Sequence, residues 1–266
     1  MSRTSHRAAW ALILGAVIVS LGLTAHAQRG GNNRQRGGGD ERFQTGGQIH
    51  GNVPYDGRFT FVRLMYRGFG RGGTSWIHDY PRGDEHFMKI INAVTLLNPH
   101  MDGETNILAL DDPELFNYPV AYMAEPGFWQ MSEGELAGLK AYIDKGGFLI
   151  FDDFRFEHWY NFEAQINRVF PRAIWHEMTA DHPVFHSFYD INSLDIIPQY
   201  FQNYGKPIFR GLFEDNDPKK RLIAIANYNT DLSEFWEFAD SGVRAIEETN
   251  EAFKLGVNYI IYGMTH

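Results

Sequence analysis

The run SEGELAGLKAYIDKGGFLIFDD, from Ser132 to Asp153, carries a helix, a turn and a buried strand without interruption. Ser132 followed three residues later by Glu135 is a capping box, and Leu136, Leu139 and Ile143 fall on one helical stripe that Gly146 ends. Phe148 to Phe151 is apolar at every position, as expected of a strand covered on both faces. A helix that feeds such a strand through a glycine turn is half of a βαβ unit, which predicts an α/β fold.

The same alternation extends outward. Phe59 to Tyr66 reads as a first buried strand. Asp84 is placed to cap a helix carrying Phe87, Ile90, Ile91, Val94 and Leu97, stopped by Asn98-Pro99. Strands are predicted near Asn106 to Leu110 and Tyr118 to Met123, and a helix from Asn161 to Phe170 displays Phe162, Ile166 and Val169 before Pro171. Ile208 to Phe213 and Leu222 to Ala226 flank the turn Glu214 to Pro218 as a hairpin. A last helix is predicted from Asp240 or Ser241 to about Ile261, packing Val243, Ile246, Phe253, Val257 and Ile260 on the sheet. The expected architecture is a three-layer, mostly parallel sheet with the hairpin as an antiparallel addition near an edge.

Residues 1–27 read as an export signal: Arg3, His6 and Arg7 precede an apolar run that closes at Ala25-His26-Ala27. Residues 28–48 are a Gly- and Arg-rich tether too poor in apolar surface to fold, and residues 49–266 form the expected single α/β domain. The mature chain is thus expected in the periplasm or outside the cell, with no membrane span once the signal is removed. The formal charge of −9 becomes −11 when Arg3 and Arg7 leave with the signal. So acidic a chain lacks the clustered Lys and Arg that phosphate binding needs, and nucleic acid is not an expected partner. With no cysteine, the hydrophobic core alone must hold the fold, and thiolate chemistry is excluded.

Arg63, Trp76, Asp79-Tyr80-Pro81, Asp84, the run Lys145 to Asp153, His182-Pro183 with Phe185, and Leu255 to Asn258 through Tyr262 resemble a bacterial family, the domain-of-unknown-function family numbered 4159. The resemblance covers about residues 59 to 265, and Ser132 to Asp153 is its most specific part. It implies a class I glutamine amidotransferase-like, flavodoxin-like sheet. True amidotransferases of that fold use a cysteine nucleophile with His and Glu. This chain has no thiol to offer, so amidotransfer by that route is excluded.

In open α/β sheets, ligands sit beyond the carboxyl ends of the strands. Asp152, Asp153 and Arg155 follow such a strand, and adjacent carboxylates in extended chain point opposite ways, so one can face a cleft while the other caps backbone or meets Arg155. Turn and capping hydrogen bonds account for such acids equally well. The loop after the first strand holds Arg67, Arg71, Trp76, His78, Asp79, Tyr80, Arg82 and Asp84, the mixed polar and aromatic chemistry of a binding loop. Gly68-x-Gly70-x-x-Gly73 matches a dinucleotide fingerprint only formally, because no helix begins there. No cofactor and no metal site are expected; His176, Glu177 and His182 come nearest to metal-ligand spacing, but His176 and His182 are too far apart for a zincin helix.

These residues point first to a non-catalytic, exported domain. It would bind a small molecule, a glycan or an envelope protein at a cleft formed by the Arg67–Asp84 loop and Asp152 to His158. The alternative is a hydrolase of envelope or extracellular carbohydrate, with Asp152 or Asp153 as base beside His78 or His158, with or without a metal. The export expectation is checked by mass spectrometry of protein expressed in a bacterial host: the mature chain should begin at Gln28, and a retained Met1 would contradict it.

Overall fold

A computed structural model describes residues 51–70, 73–101, 105–195 and 205–266. The export signal, the tether and Arg71 lie outside the described residues. The strands are β1 (Phe61–Met65), β2 (Thr105–Ala109), β3 (Val120–Ala124), β4 (Phe148–Phe154), β5 (Trp175–Glu177), β6 (Ile208–Phe213) and β7 (Leu222–Tyr228). The helices are α1 (Arg82–Val94), α2 (Glu133–Asp144), α3 (His158–Val169), α4 (Leu232–Glu237) and α5 (Ile246–Thr265).

The strands form one seven-stranded sheet in the order β2-β1-β3-β4-β7-β6-β5. β2, β1, β3, β4 and β7 run parallel, and β6 runs against both of its neighbours. The expected hairpin is β6–β7, but β7 is also the fifth strand of the parallel core and only β6 departs from it. The near-complete burial of β7 is the physical reason, since a strand between β4 and β6 is covered on both faces. β5 completes the sheet beyond β6.

Successive residues of β4 serve opposite cores, as the two-residue period of a strand requires. Phe148 and Ile150 pack with α1, α4 and α5 through Phe87, Trp236 and Phe253, whereas Leu149 and Phe151 pack with α2 and α3 through Leu139, Phe162 and Ile166. Helices therefore cover both faces.

The capping box of α2 forms as expected: the Ser132 N–H donates to Glu135 Oε2 at 2.7 Å and the Glu135 N–H to Ser132 Oγ at 3.1 Å. Gly146 then takes φ 109°, a value that suits glycine alone. Two expectations need correction. Asp84 is not the cap of α1 but lies in its first turn, with its carboxylate drawn to Arg63. The last helix begins at Ile246, not near Asp240, because Gly242 turns the chain at φ 69° and Asp240 is held by Arg82. Val243 and Ile246 are consequently 64% and 68% exposed, and only the later part of the expected stripe, Phe253, Val257 and Ile260, is buried.

Ser132→Ala should therefore lower the unfolding free energy by about 1 kcal/mol, whereas Val243→Ala should stay within about 0.5 kcal/mol of wild type. Denaturant melts that reverse this order would contradict the placement of both helices.

Candidate functional site

The strand order reverses between β1 and β3, so their following segments leave toward opposite faces, β1 leading to α1 and β3 to α2. At such a point the carboxyl ends of the strands border a crevice.

Arg63 on β1 is fully buried and organises this edge. Its Nε donates to Asp84 Oδ2 at 2.9 Å, and its Nη2 pairs with Asp84 Oδ1. Its Nη1 donates to the carbonyls of Trp76 at 3.0 Å and His78 at 2.9 Å. The Tyr122 ring lies 5.0 Å from the guanidinium. One side chain thus ties the start of α1 to the loop ahead of it and fixes where His78 and Asp79 emerge.

Asp152 and Asp153 at the end of β4 are turned to different tasks by a register shift between Phe151 and Phe154. Asp152 Oδ1 accepts from Asn227 Nδ2 at 3.0 Å. Its Oδ2 accepts from the Tyr122 hydroxyl at 3.0 Å and from the Leu232 and Ser233 N–H groups at 2.9 and 3.2 Å. It is sealed, a strap between β4 and the first turn of α4. Asp153, at φ 55°, instead places Oδ2 2.8 Å from His78 Nδ1.

Asp79, at φ 62°, accepts on Oδ2 from Ser233 Oγ at 2.5 Å, and that carboxylate also lies 3.4 Å from His78 Nδ1. Asp231 caps α4 through Oδ1, which accepts from the Glu234 N–H at 2.9 Å. One donor atom each from His78, Asp79, Asp153 and Asp231 lies within 4.8 Å of all the others. The three aspartates are buried, and only the His78 side chain, 23% exposed, reaches solvent appreciably.

Crowding of like charges out of water shifts these groups strongly. Burial, aided by the charge of Asp153, raises Asp79 to about 8 although His78 opposes it. Burial and then Asp153, Asp79 and Asp152 push Asp231 well above the carboxylate range. Burial alone would depress His78, but Asp153 overrides it and lifts the imidazole to about 9.

Of the expected site residues, the fold brings together His78, Asp79 and Asp153. Trp76 is a fully buried core residue, Asp84 is committed to Arg63, and Tyr80 is half-buried with its ring 5.9 Å from that guanidinium. Arg67 is exposed, with its backbone carbonyl held by the Gln130 N–H at 2.7 Å. His158 opens α3, its ring tilted against Phe128 at 4.5 Å; burial and the nearby Arg155 lower its pKa. His176 and Glu177 sit on β5, while His182 caps a 3-10 turn through the Val184 N–H, and both imidazoles lie against Phe213. None of these three joins a group with metal-ligand spacing among the described residues.

Asp231, Ser233 and the buried Glu125 at the end of β3 were not foreseen. The signal existed, since both acids follow buried strands just as Asp153 does, but reading β7 as an edge hairpin withheld the strand-end rule from Asp231.

The fold is that of an α/β domain whose mostly parallel sheet gathers His78, Asp79, Asp153 and Asp231 at its carboxyl edge. Residues 60–264 match the model of the Domain of unknown function (DUF4159), and the chain belongs to that family. No curated protein matches the chain.

The shifts fix the sign of a pH effect. Asp79 and Asp231 bind protons more tightly folded than unfolded, so folding loses stability as pH rises above about 4, and His78 adds to the loss as pH climbs from its ordinary value toward about 9. In chelator-containing buffer the unfolding midpoint should be higher at pH 6 than at pH 8.5, and Asp79→Asn should narrow the difference. An equal or larger difference in the variant would contradict the assignment.

Proposed function

We propose that this domain is an exported, non-catalytic binding module whose ligand, a glycan-class polyhydroxylated molecule, docks over the carboxyl ends of β1, β4 and β7. The observation that carries this reading is the pairing of buried carboxylates with an aromatic rim. Phe69, Phe156 and Tyr160 are 57%, 42% and 73% exposed, so each presents aromatic surface to solvent. Phe69 meets Phe128 edge-on at 5.5 Å, and Phe128 in turn meets His158 at a tilt, in the segment that bears Phe156 and Tyr160. Aromatic faces stack on sugar rings, and His78, the member of the acidic group that reaches solvent, can hydrogen-bond a hydroxyl.

The parallel order β2-β1-β3-β4-β7 corresponds to a flavodoxin-like sheet, which supports the amidotransferase-like fold assignment. The missing cysteine supports binding in place of amidotransfer. The second reading, a glycan hydrolase, is favoured by one observation: Asp153 and His78 stand 2.8 Å apart, a spacing suited to shared proton transfer. Asp152 is a poor base because all its hydrogen bonds are internal.

Affinity electrophoresis through soluble polysaccharides, with co-sedimentation on purified peptidoglycan, tests both readings. Retention should be weakened about tenfold by Tyr160→Ala, the loss expected of one stacking contact, with no reducing ends released. Reducing-end release that disappears in Asp153→Asn would transfer the chain to the hydrolase reading. Neither retention nor release would overturn both.

A further inference from the structure

Three buried acids, Asp79, Asp153 and Asp231, crowd together at this edge around one imidazole. Arg63 gives its hydrogen bonds to both oxygens of Asp84 and to two backbone carbonyls, so it acts on Asp79 only as a nearby charge. The His78 imidazole lies among them, 2.8 Å from Asp153 and 3.4 Å from Asp79. Moreover, Asp79 Oδ1 and Asp231 Oδ2 are sealed from solvent and have no hydrogen-bond partner among the described residues. A buried carboxylate oxygen without a donor is costly, and in folded proteins such groups are paired or coordinate metals.

From this geometry we propose that His78, Asp79, Asp153 and Asp231 form a divalent-cation site. Their donor atoms lie within 4.8 Å of one another, the span of one coordination sphere with bonds of roughly 2.0–2.4 Å. Three carboxylates with a single imidazole form an oxygen-rich set suited to Mn²⁺ or Ca²⁺ rather than to soft ions. The ion would occupy the gap between loop, β4 and α4, accepting the two orphaned oxygens. His78, the member nearest solvent, marks the side from which a ligand hydroxyl would complete the sphere. That role in recognition rests on the glycan-binding reading, whereas the site itself does not.

The test uses the whole mature chain, stripped with chelator and dialysed, with Mn²⁺ alone as the probe. Mn²⁺ titration followed by electron paramagnetic resonance should show one ion removed from solution per chain, with a nitrogen coupling from the His78 ring and a rise in unfolding midpoint. Asp231→Asn should weaken binding at least tenfold. Asparagine still caps α4 and, unlike Asp231, takes up no proton on burial, so the metal-free variant should melt at or above wild type, separating lost coordination from lost folding. Glu237→Gln should bind as wild type, because Glu237 belongs to a different group around Asp79.

Stoichiometric binding that Asp231→Asn leaves intact, or no stoichiometric binding of Mn²⁺, Ca²⁺ or Zn²⁺ by wild type, would overturn the site. Glycan retention is measured separately, with and without chelator. Retention without any ion binding would overturn the cation site and leave the glycan reading standing, and ion binding without retention would do the reverse.

Discussion

A guanidinium with no access to water must find acceptors inside the protein, and Arg63 finds them in Asp84 and in the carbonyls of Trp76 and His78. This arrangement sets the course of the chain between β1 and α1 and holds the α1 entry against the sheet. Removing either partner of such a pair leaves an uncompensated buried charge, which typically costs about 3–5 kcal/mol. Because both oxygens of Asp84 are matched to the arginine, the remaining acids at the sheet edge must be balanced by something else.

That balance is partly internal. Asp152 is neutral in its dealings with solvent: four hydrogen-bond donors surround it, and it joins β4, β3, β7 and α4 into one unit. Asp79, Asp153 and Asp231 are not so well served. Glu125, Asp153 and Asn229 at strand ends, and Asp79 in the loop before α1, also adopt positive φ, a conformation that costs non-glycine residues of order 1–3 kcal/mol each. Strain and buried acids are thus concentrated at the carboxyl edge, where they cost stability.

Local signals made much of this visible in the sequence. The capping box at Ser132, the glycine at 146 and the wholly apolar Phe148 to Phe151 define α2 and β4 without reference to the rest of the chain. Asp153 and His78 were recognisable from their positions after strands. Long-range pairing was not. β7 carries the same apolar signature as β4, but its antiparallel partner β6 masked its place in the parallel core, and with it Asp231. β5, three residues long and partly exposed, has no pattern of its own and exists because β6 offers an edge. Trp76 and Asp84 sit in a polar stretch that reads as a binding loop, whereas Trp76 joins an apolar core and Arg63 draws Asp84 and the Trp76 and His78 carbonyls inward.

The charge balance at the strand ends is tested most directly on the His78 ring. In chelator-treated protein, nuclear magnetic resonance titration of its imidazole should show the doubly protonated form persisting well above neutrality, toward the value of about 9 imposed by the surrounding aspartates. A ring that titrates in the ordinary histidine range, near 6.5, would mean that the carboxylates are neutralised in some other way, and would contradict the account of this edge.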